Sequence, residues 1–107
     1  MRNAWSMHAK AQLRGIIRAI AKDLSREDAS RWNRKIKRSI KDVPSFPELG
    51  GVIPEDCYWT LPANHERLRQ TLCNPYRIIY EHVEDEIRVL AVMDCAMLIR
   101  TSDTYWN

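Results

Sequence analysis

The sequence has 107 residues, 45% of them hydrophobic and 29% charged, with a net charge of +3. That length suits one domain spanning residues 1–107, and three glycines with five prolines argue for a folded globule over a linker. No apolar run approaches the roughly 18 residues of a membrane span, and no apolar segment follows Arg2 as in an export signal, so a cytoplasmic location without membrane contact is expected.

The charge is unevenly placed. Residues 1–50 carry twelve Lys/Arg against five Asp/Glu, and residues 51–107 carry five Arg against nine Asp/Glu. Such a layout suits an acidic partner or nucleic acid on one side. Cys57, Cys73 and Cys95 are odd in number and widely spaced, which fits neither a disulfide framework nor a zinc site. His8, His65 and His82 lack short ligand spacing to any cysteine, so no metal is expected. No phosphate-binding loop, dinucleotide fingerprint or nucleophile elbow occurs, which points to no cofactor and no small-molecule substrate.

In chain order, residues 2–5 read as a short strand and Ser6 as a helix N-cap. From His8 to Leu24 the apolar positions Ala9, Leu13, Ile16, Ile17, Ile20 and Leu24 follow a helical period. Lys10, Arg14, Arg18 and Lys22 recur every four residues beside that stripe. Ser25, with Asp28 three positions on, reads as a second N-cap. The helix that follows is predicted over Arg26–Val43, with Ala29, Trp32, Ile36, Ile40 and Val43 inward and Arg31, Arg34, Lys35, Lys37, Arg38 and Lys41 outward. Pro44 and Pro47 end it, and the short join makes the two helices an antiparallel hairpin.

Residues 44–65 form a long connection, with a strand expected at Cys57–Thr60. Strands are then predicted at Arg67–Leu72, Tyr76–Val83 and Ile87–Met93. In the second, Tyr76, Ile78 and Tyr80 share one face while Arg77, Ile79 and Glu81 share the other. In the third, Ile87, Val89, Ala91 and Met93 alternate with Leu90 and Val92, which suggests a central strand covered on both sides. Residues 96–107 read as a tail. The expected class is α+β: a short N-terminal strand and an antiparallel helix hairpin packed on a C-terminal, mainly antiparallel sheet.

Several stretches resemble the bacterial ParE/RelE toxin superfamily. Ala9, Leu13, Ile16 and Ile20 resemble its first helix, and Phe46-Pro47-Glu48-Leu49-Gly50 is similar to its Phe-Pro-x-Leu-Gly turn. Leu68-Arg69 and Leu72 resemble its arginine-bearing strand, and Asn74-Pro75-Tyr76-Arg77-Ile78-Ile79-Tyr80 is the strongest stretch. Glu86-Ile87-Arg88-Val89-Leu90-Ala91-Val92 is similar to the next strand, and Tyr105-Trp106 to the ending of some plasmid-stabilisation members. After the last strand the family usually carries Val-x-His-x-x-Arg, where this chain has Asp94-Cys95-Ala96-Met97.

The resemblance implies the toxin of a type II toxin–antitoxin module, neutralised by a cognate antitoxin. The ParE branch poisons DNA gyrase by binding it, and the RelE branch cleaves messenger RNA on the ribosome; a degenerate, non-toxic member is a third possibility. The shared fold does not decide among them. No lysine follows Lys41 and the His/Arg ending is lost, which favours the ParE branch. For the nuclease branch the resemblance implies that Arg69 and Arg77 clamp a phosphate on one active face, with Tyr105, His65 or His82 as a stand-in for the missing proton-transfer group. The alternative makes both arginines strand residues paired with Glu66, Glu81 or Asp94. The expected antitoxin contacts are Lys10, Arg14, Arg18, Arg31, Lys35 and Arg38 for its carboxylates, with Trp59 and Trp106 covering a groove or binding a partner.

Overall fold

A computed structural model describes residues 2–41, 43 and 51–106. The Phe46–Gly50 turn and the helix-stopping Pro44 and Pro47 lie outside them. Strand β1 (Arg2–Trp5) leads into helix α1 (Met7–Asp23) and helix α2 (Arg26–Lys41). Four strands follow: β2 (Gly51–Val52), β3 (Leu68–Cys73), β4 (Tyr76–Val83) and β5 (Glu86–Asp94). They form one five-stranded sheet in the order β1-β5-β4-β3-β2, with β1 parallel to β5 and every other pair antiparallel. The α+β class and the helix-hairpin-on-sheet layout are as the sequence predicts.

Both helix starts are built by serine. Ser6 Oγ accepts from Ala9 N at 2.9 Å and donates to the Leu90 carbonyl at 3.2 Å, so one buried hydroxyl caps α1 and ties it to the sheet. Ser25 Oγ accepts from Asp28 N at 3.0 Å and donates to Asp28 Oδ2 at 2.8 Å, a serine N-cap whose hydroxyl is oriented by the carboxylate three residues on. Ala9, Leu13, Ile36, Ile40 and Val43 pack on Ile78, Tyr80, Ile87, Val89 and Val92 to form the core between hairpin and sheet. Trp32 is only half-buried; its ring meets Tyr76 edge-on at 5.5 Å, and Lys35 lies over it at 4.6 Å.

The reverse face of the sheet carries a second core of Ile53, Tyr58, Leu68, Ile79, Leu90, Ala91, Met93 and Ile99. Covering both faces needs apolar residues on both faces of β5, and a bulge arranges them. The register shifts between Ile79 and Tyr80, which pair with Ala91 and Val89 and leave Leu90 extra. Ile87, Val89 and Val92 therefore face the helices, whereas Leu90, Ala91 and Met93 face away. Strict alternation would have put Ala91 and Met93 on the side of Ile87 and Val89.

Two further segments differ from expectation. Cys57–Thr60 is no strand: Glu55–Cys57 is a 3-10 turn, and only Tyr58 bridges, in parallel, to Ile99. The final residues pack against the body instead of trailing. Trp59 N donates to the Ile99 carbonyl and Ile99 N to that of Cys57, both at 2.8 Å. Ile99, Asp103 and Thr104 are buried. Ile99 alone supplies the roughly 2 kcal/mol typical of a fully buried aliphatic side chain.

Candidate functional site

Arg69 and Arg77 end on opposite faces of the sheet. Arg69 pairs with Tyr80, whose side chain belongs to the helix-side core. Arg77 pairs with Leu72 and Met93 on the reverse side. The single active face expected for the two guanidinium groups is thus divided by the strand register.

Arg77 is 6% exposed. One terminal nitrogen donates to Gln70 Oε1 at 3.1 Å and the other to the Cys95 carbonyl at 2.8 Å, while its buried Nε has no partner among the described residues. The charge is held by neutral acceptors, and the bond to Cys95 fixes the chain as it leaves β5. Arg69 donates to the Glu66 and Leu68 carbonyls at 2.7 and 3.0 Å, clamping the entry to β3. Tyr105 is 53% exposed.

A different tyrosine lies near them. Tyr58 is buried and its hydroxyl has no partner among the described residues. Burial, and to a lesser degree Cys57, pushes its ionisation above the ordinary value of 10.0; Arg77 and Arg69 pull in the other direction. A phenol whose folded-state value is raised contributes stability below its unfolded value, and that contribution is lost as pH rises through the folded value. Tyr58→Phe is therefore expected to hold or raise the unfolding free energy at neutral pH, by up to about 1 kcal/mol, because it removes an unpartnered buried hydroxyl. It should also flatten the loss of stability at alkaline pH. Urea denaturation at neutral pH and above pH 10 checks both, and a large loss at neutral pH would show that the hydroxyl has a partner.

A concave, mainly apolar surface lies elsewhere, between α1, the end of β5 and the tail. It is a groove of about 560 Å³ with Ile16, Ala19, Ile20 and Leu24 on the helix side, Val92 and Met93 on the sheet side, and Met97 and Leu98 on the tail side. β1 pairs with β5 only as far as Val89, so the outer edge of β5 is free of a strand beyond that point. Gln12 Oε1 instead accepts from Val92 N at 2.8 Å. Asp103 holds the tail in place: its Oδ1 lies 2.8 Å from His8 Nε2 and accepts from Gln12 Nε2 at 3.0 Å, and its Oδ2 accepts from Arg100 N at 3.0 Å. Asp23, Asp94 and Asp103 stand on the lining with one cation, Arg100.

The family described as ParE toxin of type II toxin-antitoxin system, parDE, matches residues 4–99. The chain belongs to the ParE toxin family. Among solved structures, one titled "Chromosomal ParDE TA system from P. aeruginosa" resembles it with a TM-score of 0.69 at 17% identity, covering 88% of this chain and 95% of the other. No curated protein matches. In this ParE-family chain Lys10, Arg14 and Arg18 are exposed, but none lines the groove, because the hundred-degree helical step turns Arg14 and Arg18 away from Ile16. Arg31, Lys35 and Arg38 are exposed on α2, and Arg31 is paired with Asp28. Trp59 and Trp106 also lie outside the groove, each beneath an arginine, Arg100 at 5.1 Å and Arg88 at 5.0 Å. Sequence reasoning passed over Leu24, Met97 and Leu98 as groove residues. Their signal is an apolar arc on α1 wider than one core face, followed by the apolar run Ala96-Met97-Leu98-Ile99 in the tail.

Among the described residues no group of three or more His, Cys, Asp or Glu could hold a metal, and no helix is long and apolar enough to cross a membrane.

Proposed function

We propose that this ParE-family chain is a toxin neutralised by a cognate antitoxin that fills the groove between α1 and the tail, and that it acts by binding a protein target such as DNA gyrase. The observation that carries the reading is the groove itself: an apolar trough beside the end of β5, past the point where β1 stops, where a partner segment can bury side chains. The aspartates on its lining suit an apolar segment flanked by lysine or arginine. The outward cations Lys10, Arg14 and Arg18 would meet antitoxin carboxylates only where that segment continues over α1.

The preference for a binding toxin over a nuclease rests on Arg77. A guanidinium enclosed between Gln70 and Cys95 is not presented to a phosphate. Induced expression in bacteria tests this. Growth arrest with a DNA-damage response, intact messengers and rescue by the antitoxin is the expected result. Codon-linked messenger cleavage that disappears in a folded Arg77→Lys variant would overturn it in favour of the ribosome-dependent nuclease.

A further inference from the structure

The helix hairpin carries a surface that the groove does not use. Residues 7–41 hold eleven Lys/Arg against three Asp/Glu, and the three acids, Asp23, Glu27 and Asp28, all sit at the join between the helices. From Arg31 to Lys41 there are six cations and no acid: Arg31, Arg34, Lys35, Lys37, Arg38 and Lys41, all exposed. Arg34, Lys37, Arg38 and Lys41 line a depression of about 440 Å³ together with Asn3, Trp5 and Ile40. Among the described residues none of these four has a carboxylate partner. The dipole at the end of α2 favours Arg38 and Lys41 in the last turn but gives no reason for Arg34 and Lys37.

We infer that this face of α2 binds the phosphate backbone of duplex DNA. Two arguments select that occupant. A protein interface needs a desolvated apolar centre, and among the described residues the exposed large hydrophobic side chains all lie off α2. Phosphate recognition needs only charge. The density also fits: Arg34, Lys37, Arg38 and Lys41 fall along about 10 Å of helix at 1.5 Å per residue. A duplex presents one negative charge per about 1.7 Å of axis. The choice of duplex DNA over a single strand rests on the reading that the protein target is an enzyme working on DNA. The toxin would then hold the target through one surface and the DNA that target handles through another, without reading sequence.

The isolated full-length chain is titrated with a fluorescent duplex of arbitrary sequence by anisotropy between 50 and 200 mM salt. Binding should weaken with salt at a log–log slope of about −3 to −5, and R34A/K37A/R38A/K41A should shrink that slope by about three or more. The charge-preserving R34K/R38K should keep it, which separates lost charge from lost fold. Absence of duplex binding at low salt, an unchanged slope in the quadruple variant, or preferential binding of a single-stranded RNA or of a polyglutamate chain at equal charge would each overturn the inference. A parallel measurement of gyrase binding by the same protein keeps the two proposals apart. DNA binding can fail while target binding persists, and the reverse.

Discussion

Arg77→Ala is expected to lower the unfolding free energy by about 2–4 kcal/mol and the melting temperature by roughly 10–20 °C. The substitution removes two charge-assisted hydrogen bonds at once. It leaves the Cys95 carbonyl and Gln70 Oε1 without their donor and opens a void beside Met93 and Leu72. Arg77→Lys reaches at most one of the two acceptors and should fall between Ala and the native protein. Arg77→Met restores volume but neither hydrogen bond, so it should recover only the packing part. Thermal melts followed by circular dichroism give the order. A catalytic arginine would behave oppositely, with function lost and the melt unmoved. The same residue thus separates the structural reading from the chemical one.

Leu24→Glu and Met97→Glu are each expected to weaken antitoxin binding by about 30-fold or more, some 2 kcal/mol, while leaving the melt within about 0.5 kcal/mol of the native protein. Both side chains are largely exposed, at 67% and 59%, so the fold loses little. In the complex each would bring a carboxylate into an apolar trough already lined by Asp23, Asp94 and Asp103. Titration calorimetry with the purified antitoxin measures the change, and cells should show it as toxicity that the antitoxin no longer relieves. A larger loss from Lys10, Arg14 and Arg18 changed together to alanine would move the interface to the outer face of α1.

Much of the frame was readable because it is local. The two serine caps, the heptad-like stripes on α1 and α2 and the alternation in β4 each depend on residues within a few positions of one another, and the elements fall within a residue or two of expectation. The bulge was not readable. Leu90, Ala91, Val92 and Met93 are all apolar, and a continuous apolar run does not say which face each residue takes. The tail was misread for a related reason: Met97-Leu98-Ile99 is too short to show a period, and only Ile99 is buried. Arg77 and Tyr58 show the limit most clearly. An arginine in a strand reads as a solvated or reactive cation, and its burial comes from residues near positions 70 and 95 that no local pattern links to it. Tyr58 is buried because the turn before it folds back to Ile99, a long-range contact.

The parallel pairing of β1 with β5 has a consequence in time. It joins positions 84 apart, and the Ser6 hydroxyl that caps α1 donates to a carbonyl equally distant along the chain. At ordinary rates of synthesis, about 5–20 residues per second, the first strand waits roughly 4–17 s for the strand beside it to be made. The helices can form early, but the central strand of the sheet, the helix-side core and the tail that walls the groove all come last. On the proposed reading, a nascent chain therefore cannot present its groove to an antitoxin until β5 and the tail have been made. On the same reading, an antitoxin already present in the cell would meet the groove as soon as the tail closes it.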